Sequence, residues 1–242
     1  RSIIAGINAA MYVKGKDPLI IDRSEGYIGV LIDDLVTKES REPYRMMTSR
    51  SEYRLLLRQD NADIRLTPKG YKAGLISRER YDRLLKKIGQ INTEILRVKN
   101  TNIGAGASVQ AVLTEHGSTP LKTSCTLAEL IRRPELTYDD LAAIDPERTD
   151  LPAEVREQVN IQIKYEGYIS RQLSAVREFK KMEGKKFPQD MDYGDVQSLR
   201  LEARQKLSAI RPANIGQASR ISGVSPADIS VLMVYLQAHR KR

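Results

Sequence analysis

The feature that most limits the possible folds is a run of apolar residues at helical spacing after Ser77. Apolar side chains recur there every three or four residues over about six turns, at Tyr81, Leu84, Leu85, Ile88, Ile91, Ile95 and Val98. This period indicates one long amphipathic helix, because strands alternate every second residue. Ser77 suits the N-cap position, where a hydroxyl accepts a hydrogen bond from an unpaired backbone N–H. We therefore expect a mainly α chain.

Helices are also predicted on both sides of this one. Upstream, Ile3–Tyr12 and Tyr27–Val36 have helical patterns, and downstream Pro152–Met182 is predicted to be the longest helix. The shorter predicted helices are Val109–His116, Leu127–Arg132, Tyr138–Ile144, Val196–Ile210, Ile215–Ile221 and Pro226–Ala238. The predicted fold is mainly α, with little or no sheet: a bundle of long helices followed by a compact helical tail subdomain.

An arginine-rich stretch, Glu42–Thr67 (EPYRMMTSRSEYRLLLRQDNADIRLT), precedes the long helix. A helix from Ser49 would have an arginine side and an apolar side, formed by Arg50, Arg54 and Arg58 and by Tyr53, Leu56 and Leu57. Such a helix can present guanidinium groups to phosphates or carboxylates. Surface helices also carry arginines that only pair with nearby acids. The pattern alone leaves both interpretations open.

A second candidate surface lies on Pro152–Met182. Lys164, Tyr168 and Arg171 fall at positions i, i+4 and i+7, on one face of that helix. Cations there could meet phosphates while the tyrosine ring stacks on an unpaired base of RNA. Tyrosines on long helices also pack against neighbouring helices, so this pattern allows a purely structural role as well.

The composition excludes several classes of protein. The 242 residues include one cysteine and two histidines, too few for an intramolecular disulfide or a cysteine- and histidine-rich metal site. No nucleotide-binding or nucleophile motif occurs, and no apolar run is long enough to span a membrane. We expect no catalytic or metal site, no membrane partner and a cytoplasmic location.

The net charge of +9 favours polyanions such as nucleic acids, without giving a sequence preference. In consecutive blocks the charge is +3 for residues 1–76, 0 for 77–150, +2 for 151–190 and +4 for 191–242. The excess is therefore expected towards the two ends of the chain.

Four blocks of sequence together resemble the C-terminal part of the GidA/MnmG family of flavoproteins, which modify a tRNA uridine. They occur in the family's order and are Ala5–Ala10 (AGINAA), Gly29–Arg65, Tyr165–Gln172 (YEGYISRQ) and Ile215–Leu232 (IGQASRISGVSPADISVL). Met47 stands where the family usually has an aromatic residue. The resemblance covers most of the chain and is weakest over residues 99–150.

The resemblance implies a mainly α fold, the helical C-terminal region of a flavoprotein. It implies that the complete enzyme uses FAD and NADH, forms a homodimer and works with the GTPase MnmE. With methylenetetrahydrofolate and glycine or ammonium, that enzyme builds an aminomethyl-type group on C5 of the wobble uridine. The flavin fingerprint and the catalytic cysteines of the family lie upstream of Arg1. This fragment is therefore expected to hold no cofactor and to catalyse nothing by itself, and Cys125 matches no motif of the family.

The resemblance also divides the chain. Residues 1–22 are expected to be a remnant of the last FAD-domain helix, 23–76 a junction segment with the arginine-rich helix, 77–190 a helical domain and 191–242 a C-terminal helical subdomain. The residues expected to contact tRNA are Arg45, Arg50, Arg54, Arg58, Lys164, Tyr168 and Arg171. Those expected to contact MnmE are Gln217, Arg220, Ile229, Leu232, Met233 and Leu236, although most of the apolar ones are also suited to the core.

Two other functions remain as alternatives. The chain could be a module that docks MnmE without touching tRNA, its positive charge serving only to steer the encounter. From fold logic alone, Ile215–Leu236 could instead be a DNA-binding helix-turn-helix. The start of its last helix (SPADIS) offers no basic or amide side chain to read base edges.

Overall fold

The structure is a computed structural model that describes residues 2–38 and 43–239. These residues form eleven α-helices and one pair of two-residue strands. The prediction of a mainly α fold with little sheet is confirmed. Within the described part, no helix is both long and apolar enough to cross a membrane. Residues 39–42, including Glu42 at the start of the arginine-rich stretch, lie outside the described part.

The helices, in chain order, are α1 Ser2–Val13, α2 Tyr27–Thr37, α3 Ala62–Lys72, α4 Arg78–Asn100, α5 Ala107–Glu115, α6 Leu127–Ile131, α7 Ala153–Lys164, α8 Glu166–Glu183, α9 Leu201–Ile210, α10 Ile215–Ala218 and α11 Pro226–His239. The strands β1 Asn102–Ile103 and β2 Cys125–Thr126 pair antiparallel. The chain folds as two compact units. Unit 1 contains Ile20–Leu57 and Arg171–Arg242, and unit 2 contains Ile3–Leu19 and Arg58–Ser170.

In unit 2, α4 is the central element, and it buries the apolar face that its sequence predicts. Helices α3, α6 and α7 pack against it. Ile91 and Val98 lie in a core shared with α5, α6 and α7. The predicted N-cap is confirmed, because Ser77 Oγ accepts a hydrogen bond from the backbone N–H of Arg80 at 3.3 Å. The long helix therefore organises this unit.

In unit 1, helices α9, α10 and α11 enclose a second core around Leu207, Ile215 and Leu232. The predicted start of α11 is confirmed: Ser225 N–H donates to the carboxylate of Asp228 at 2.8 Å, and Ser225 Oγ accepts from Asp228 N–H at 3.3 Å. Hydrogen bonds from Arg200 and Ser225 hold the pKa of Asp228 well below its ordinary value. The tail is thus tied by polar contacts as well as by its core.

The predicted continuous helix over Pro152–Met182 is wrong. Helix α7 ends at Lys164, Tyr165 has φ −102° and ψ 11°, and α8 begins at the next residue. Gly167 follows closely, and a glycine weakens a helix because it loses more backbone freedom on folding than other residues. With 23 residues, α4 is the longest helix of the described part. Likewise, Tyr138–Ile144 forms turns and a short 3-10 segment rather than an α-helix.

Helical spacing along Pro152–Met182 predicts one buried apolar stripe, made of Val155, Val159, Ile163, Ile169, Leu173 and Val176. This prediction is confirmed only in α7. Val155, Val159 and Ile163 are buried there, whereas Val176 is the one buried residue described in α8. The exposed Leu173 had been expected in the same stripe. The break at Tyr165 explains the difference, because it interrupts the regular phase on which the stripe depends.

The predicted arginine-rich helix is also wrong: Thr48–Arg50 is a 3-10 turn, and the next helix, α3, begins only at Ala62. In an α-helix the carbonyl of Arg50 would accept a hydrogen bond from residue 54. It accepts instead from Arg23 Nη2 at 3.3 Å. Ser51 Oγ also accepts from the N–H of Tyr53 at 3.1 Å, a local bond of the kind that competes with helix formation.

Candidate nucleic-acid interface

Arg23 is the centre of a buried group of charges in unit 1. Its side chain is 2% exposed, and its guanidinium touches three carboxylates. Nη1 lies 2.6 Å from Asp34 Oδ1 and 3.1 Å from Asp33 Oδ2, and Nη2 lies 2.7 Å from Glu52 Oε1. A planar guanidinium with five N–H donors can serve several acceptors at once, which an ammonium cannot do in the same geometry. We call these four residues the Arg23 cluster.

Asp34 is the most buried carboxylate of the Arg23 cluster, at 1% exposure. It also accepts from Lys38 Nζ at 2.9 Å and from the hydroxyl of Tyr44 at 2.8 Å. Burial alone raises the pKa of Asp34, but hydrogen bonds from Lys38, Arg23 and Tyr44 outweigh it and hold the pKa below its ordinary value. Burial and the bond to Asp34 raise the pKa of Tyr44 to about 12. The carboxylate is therefore ionised and the phenol neutral at pH 7.

The Arg23 cluster fixes the arginine segment, which we define as residues 43–58. It holds the carbonyl of Arg50 and the carboxylate of Glu52. Arg50 stacks on the ring of Tyr44 at 4.3 Å and donates from Nε to the carbonyl of Arg45 at 3.0 Å. The apolar side of the segment is buried as predicted for Tyr53 and Leu57. The segment is therefore anchored without forming a helix.

The four arginines predicted in this segment differ in what they touch. Arg45 and Arg54 are exposed, and within the described residues no hydrogen bond or ion pair of their guanidinium groups is seen. Arg50 is half-buried and stacked. Arg58 forms a two-point contact with Asp60 at 3.0 Å, and the same carboxylate accepts from Gln158 Nε2 at 2.7 Å. Arg45 and Arg54 are thus the two best suited to meet an external anion.

The second predicted patch is not a uniform surface. Lys164 Nζ donates to the carbonyls of Arg133 and Pro134 at 2.8 and 3.2 Å, just beyond the end of α6, and burial lowers its pKa. Tyr168 is exposed, and Arg171 is exposed on the following turn of α8. The lysine therefore has a structural role within unit 2, and Tyr168 offers the more accessible side chain.

The residues predicted to contact MnmE divide into interior and accessible groups. Ile229 and Leu232 are buried in the core of unit 1, as their alternative assignment to the core predicts. Arg220 Nε lies 2.7 Å from Asp33 Oδ2, and its guanidinium stacks on Phe179 at 4.6 Å. Gln217 Oε1 accepts from the N–H of Ala213. The accessible members, Met233 and Leu236, line a concavity of about 490 Å³ beside Gly184–Pro188.

Sequence reasoning did not single out Arg23. An isolated arginine between Asp22 and Ser24 has no pattern that distinguishes a buried partner of three carboxylates from a surface residue. On a helix such as α2, the side chains of adjacent residues like Asp33 and Asp34 point in different directions. They are nevertheless both reached by Arg23, because a long branched side chain spans the angle between them.

Among the described residues, neither a dinucleotide-binding sheet nor a cluster of metal-ligating side chains is seen. A dinucleotide site is built on parallel strands joined by a glycine-rich turn, whereas the strands described here are two antiparallel pairs of residues. No group of three or more metal-ligating side chains is found in residues 2–38 and 43–239. Cys125 is a free thiol whose pKa is raised by burial, so it stays protonated at pH 7. The candidate functional features of the described residues are therefore binding surfaces.

These surfaces define a positively charged, mainly helical region in which arginines lie on a segment of irregular backbone. Two family profiles identify it further. One, described as the tRNA modifying enzyme MnmG/GidA C-terminal helical domain, matches residues 78–173, and the other, the MnmG/GidA C-terminal helical bundle, matches residues 175–242. The chain belongs to the MnmG/GidA family, and it corresponds to the C-terminal helical region.

Individual relatives agree with this assignment. The tRNA uridine 5-carboxymethylaminomethyl modification enzymes of Caldicellulosiruptor saccharolyticus and Lachnoclostridium phytofermentans are both 61% identical over 100% of this chain. The chain spans 38% and 39% of their lengths. The form II crystal structure of Aquifex aeolicus GidA matches with a TM-score of 0.80 and 41% identity, over 96% of this chain and 36% of that one.

Proposed function

We propose that this chain is the tRNA-holding region of an enzyme that modifies C5 of the wobble uridine. The observation that carries the proposal is the pair of exposed guanidinium groups, Arg45 and Arg54, on a segment that the Arg23 cluster holds in place. Arginine binds phosphate oxygens through parallel N–H bonds. The relatives' names, which specify a tRNA uridine modification, support tRNA as the anion. Flavin and NADH chemistry would belong to other parts of the complete enzyme.

The test is a titration of fluorescently labelled tRNA with the Arg45→Glu/Arg54→Glu variant. We expect at least a tenfold loss of affinity, because two phosphate contacts become repulsions. The slope of log affinity against log salt should also fall by about 1–2, at roughly 0.7–0.9 per lost contact. The matched control is Lys14→Glu/Lys16→Glu, which changes the net charge equally at two exposed positions. Equal losses in both variants would show that only net charge matters.

A second function is supported by the concavity of unit 1. Met233 and Leu236 of α11 face Gly184–Pro188 across a space of about 490 Å³. An accessible apolar surface of this kind is a common docking site for proteins. We propose that it receives the partner GTPase MnmE. The helix-turn-helix alternative has less support, since α10 has only four residues.

A pull-down of MnmE with the Met233→Gln/Leu236→Gln variant tests this docking surface. We expect binding to fall at least tenfold, because two apolar contacts are replaced by amides that must be desolvated. Val234→Gln is the control on the same helix, outside the lining of the concavity. Full binding by a double variant that retains its helical content would contradict the assignment. If MnmE binding survives in a chain that never binds tRNA, the purely docking function is the correct one.

A further inference from the structure

A large excess of positive charge lies outside both predicted patches. Residues 65–90 contain eight lysines and arginines against two acids, a net charge of +6 within a chain of net charge +9. The net charges given above for residues 1–76 and 77–150 do not show this excess, because the boundary between the two blocks divides the stretch. The stretch covers the end of α3 and the beginning of α4, which pack against each other in unit 2. We call Lys69–Lys87 the α3–α4 corner.

The α3–α4 corner is rigidly built. The turn after α3 passes through Gly74 at φ +80°, a left-handed conformation that glycine adopts without strain. Across the turn, the rings of Tyr71 and Tyr81 stack at 4.3 Å with an angle of 5° between their planes. This stack joins the last turn of α3 to the second turn of α4. The cations of the corner therefore project from fixed helical positions.

Only some of these cations have partners. Arg78 pairs with Asp82 and Arg83 with Glu79 at 2.9 Å, both along the exposed surface of α4, where such pairs contribute little to stability. The three others of interest are exposed, with no side-chain hydrogen bond or ion pair within the described residues: Lys72, Arg80 and Lys86. The acids of the corner are thus already engaged, and a positive surplus faces solvent.

Lys87, in the same part of the chain, is a cation whose charge is compensated by carboxylates. Its side chain is 10% exposed and its Nζ lies 2.9 Å from Asp63 and 3.1 Å from Glu154. Burial alone lowers the pKa of Lys87, but the hydrogen bonds that its Nζ donates to these two carboxylates outweigh it and raise the pKa. Lys87 therefore belongs to the interior of unit 2. The accessible charge of the corner is that of the outer cations.

The exposed cations of α4 do not stabilise the helix. Arg80 lies in the first turn of α4, where the positive end of the helix dipole disfavours cations by about 0.3–1 kcal/mol each. Repulsion between neighbouring cations adds to this cost. Folding stability therefore does not explain why an unpaired cation is found there. A polyanionic partner does, because it offers several negative charges to several exposed cations.

We propose that the α3–α4 corner binds the phosphodiester backbone of RNA through Lys72, Arg80 and Lys86. This inference rests on the proposed function, since it adds a second contact for the same tRNA. Arg80 and Lys86 are six residues apart, so they are separated by about 9 Å along the helix axis. This separation is too large for a single phosphate, so each side chain would meet a different phosphate of the backbone. Contacts of this kind add affinity and fix orientation without reading sequence.

The experiment compares Lys72→Glu/Arg80→Glu/Lys86→Glu with Lys14→Glu/Lys16→Glu/Lys122→Glu in titrations of labelled tRNA at several salt concentrations. Both sets change three exposed cations and the net charge by the same amount. We expect at least a tenfold loss of affinity for the corner variant and a salt slope smaller by about 2–3. The control should change less than threefold. The neutral variant Lys72→Gln/Arg80→Gln/Lys86→Gln should fall between the two.

Four outcomes would overturn the proposal. Equal losses in the corner and control variants would mean that only net charge acts. Unchanged tRNA binding by the corner variant would assign this face to another partner, such as an acidic protein. Loss of binding only in Arg45→Glu/Arg54→Glu would leave the proposed function intact and remove the corner from it. Loss only in the corner variant would instead support the corner and remove the arginine segment. No tRNA binding by the wild-type chain would overturn both.

Discussion

In unit 1, the guanidinium of Arg23 is buried and touches three carboxylates. In unit 2, Lys72, Arg80 and Lys86 are exposed, and no carboxylate contact of theirs is seen within the described residues. Both regions contain basic side chains together with carboxylates. Their difference is the degree to which positive charge is compensated by acids.

This difference separates two roles that a count of arginines cannot separate. A buried cation must be matched by carboxylates, because an unpaired charge in the interior is very unfavourable. An exposed cation is hydrated and can remain unmatched until a polyanion arrives. The Arg23 cluster is therefore expected to determine stability, and the α3–α4 corner to determine affinity. Variants in the two regions should have opposite signatures.

The largest effect on stability is expected from Arg23→Met. This change leaves Asp34 buried without its guanidinium, and breaking a buried ion pair costs about 3–5 kcal/mol. Urea denaturation followed by circular dichroism measures the free energy of unfolding. Lys38→Met is the matched control, because Lys38 pairs with the same carboxylate but is 41% exposed; it should cost less than about 1 kcal/mol. The corner charge reversal should cost less than about 0.5 kcal/mol.

The comparison fails if these results are reversed. A corner variant that unfolds as readily as Arg23→Met would mean that its cations hold unit 2 together. An Arg23→Met variant with wild-type stability would mean that the cluster is not needed for folding. The tRNA affinity of Arg23→Met should fall only to the extent that the arginine segment loses its fixed conformation.

A smaller effect is expected from Asp34→Asn, and it should depend on pH. The folded pKa of Asp34 lies below its ordinary value of 3.8. The ionised carboxylate therefore contributes stability that is complete above about pH 5 and is lost as the pH falls through the folded pKa. The asparagine variant should be less stable by about 1–3 kcal/mol at pH 7. Its unfolding free energy should change less than that of the wild type between about pH 5 and pH 3. Parallel pH profiles would contradict this assignment.

The sequence predicted the regular parts of the fold because local periodicity determines them. The apolar spacing and N-cap of α4, and the Ser225–Asp228 start of α11, are readable from neighbouring residues. The arginine segment was not predictable in this way. Its helical spacing is real, but Arg23, 27 residues away in sequence, takes the carbonyl of Arg50 that a helix would need. A contact over that separation leaves no local signal.

The candidate binding surfaces, like the fold, could be predicted only in part from the sequence. The exposed positions of Arg45 and Arg54 fit the predicted anion-binding edge. Arg58 is instead engaged by Asp60, two residues away, and Arg220 by Asp33, 187 residues away. Lys164 was predicted as a cation for RNA, yet it donates to two carbonyls 30 and 31 residues away. The charge of the α3–α4 corner is visible in the sequence, but only in a window that does not cut between its two helices.

The hydrogen bond from Arg23 to the carbonyl of Arg50 also reduces the conformational entropy that the arginine segment loses when it binds a ligand. A segment without regular backbone hydrogen bonds would ordinarily sample many conformations, and fixing each residue on binding costs about 1–2 kcal/mol. Here the guanidinium bond, the buried rings and the stacked Tyr44 have already fixed much of the segment during folding. An anion that meets Arg45 and Arg54 therefore pays mainly for ordering their side chains. The irregular backbone of this segment is compatible with a rigid, preorganised binding surface.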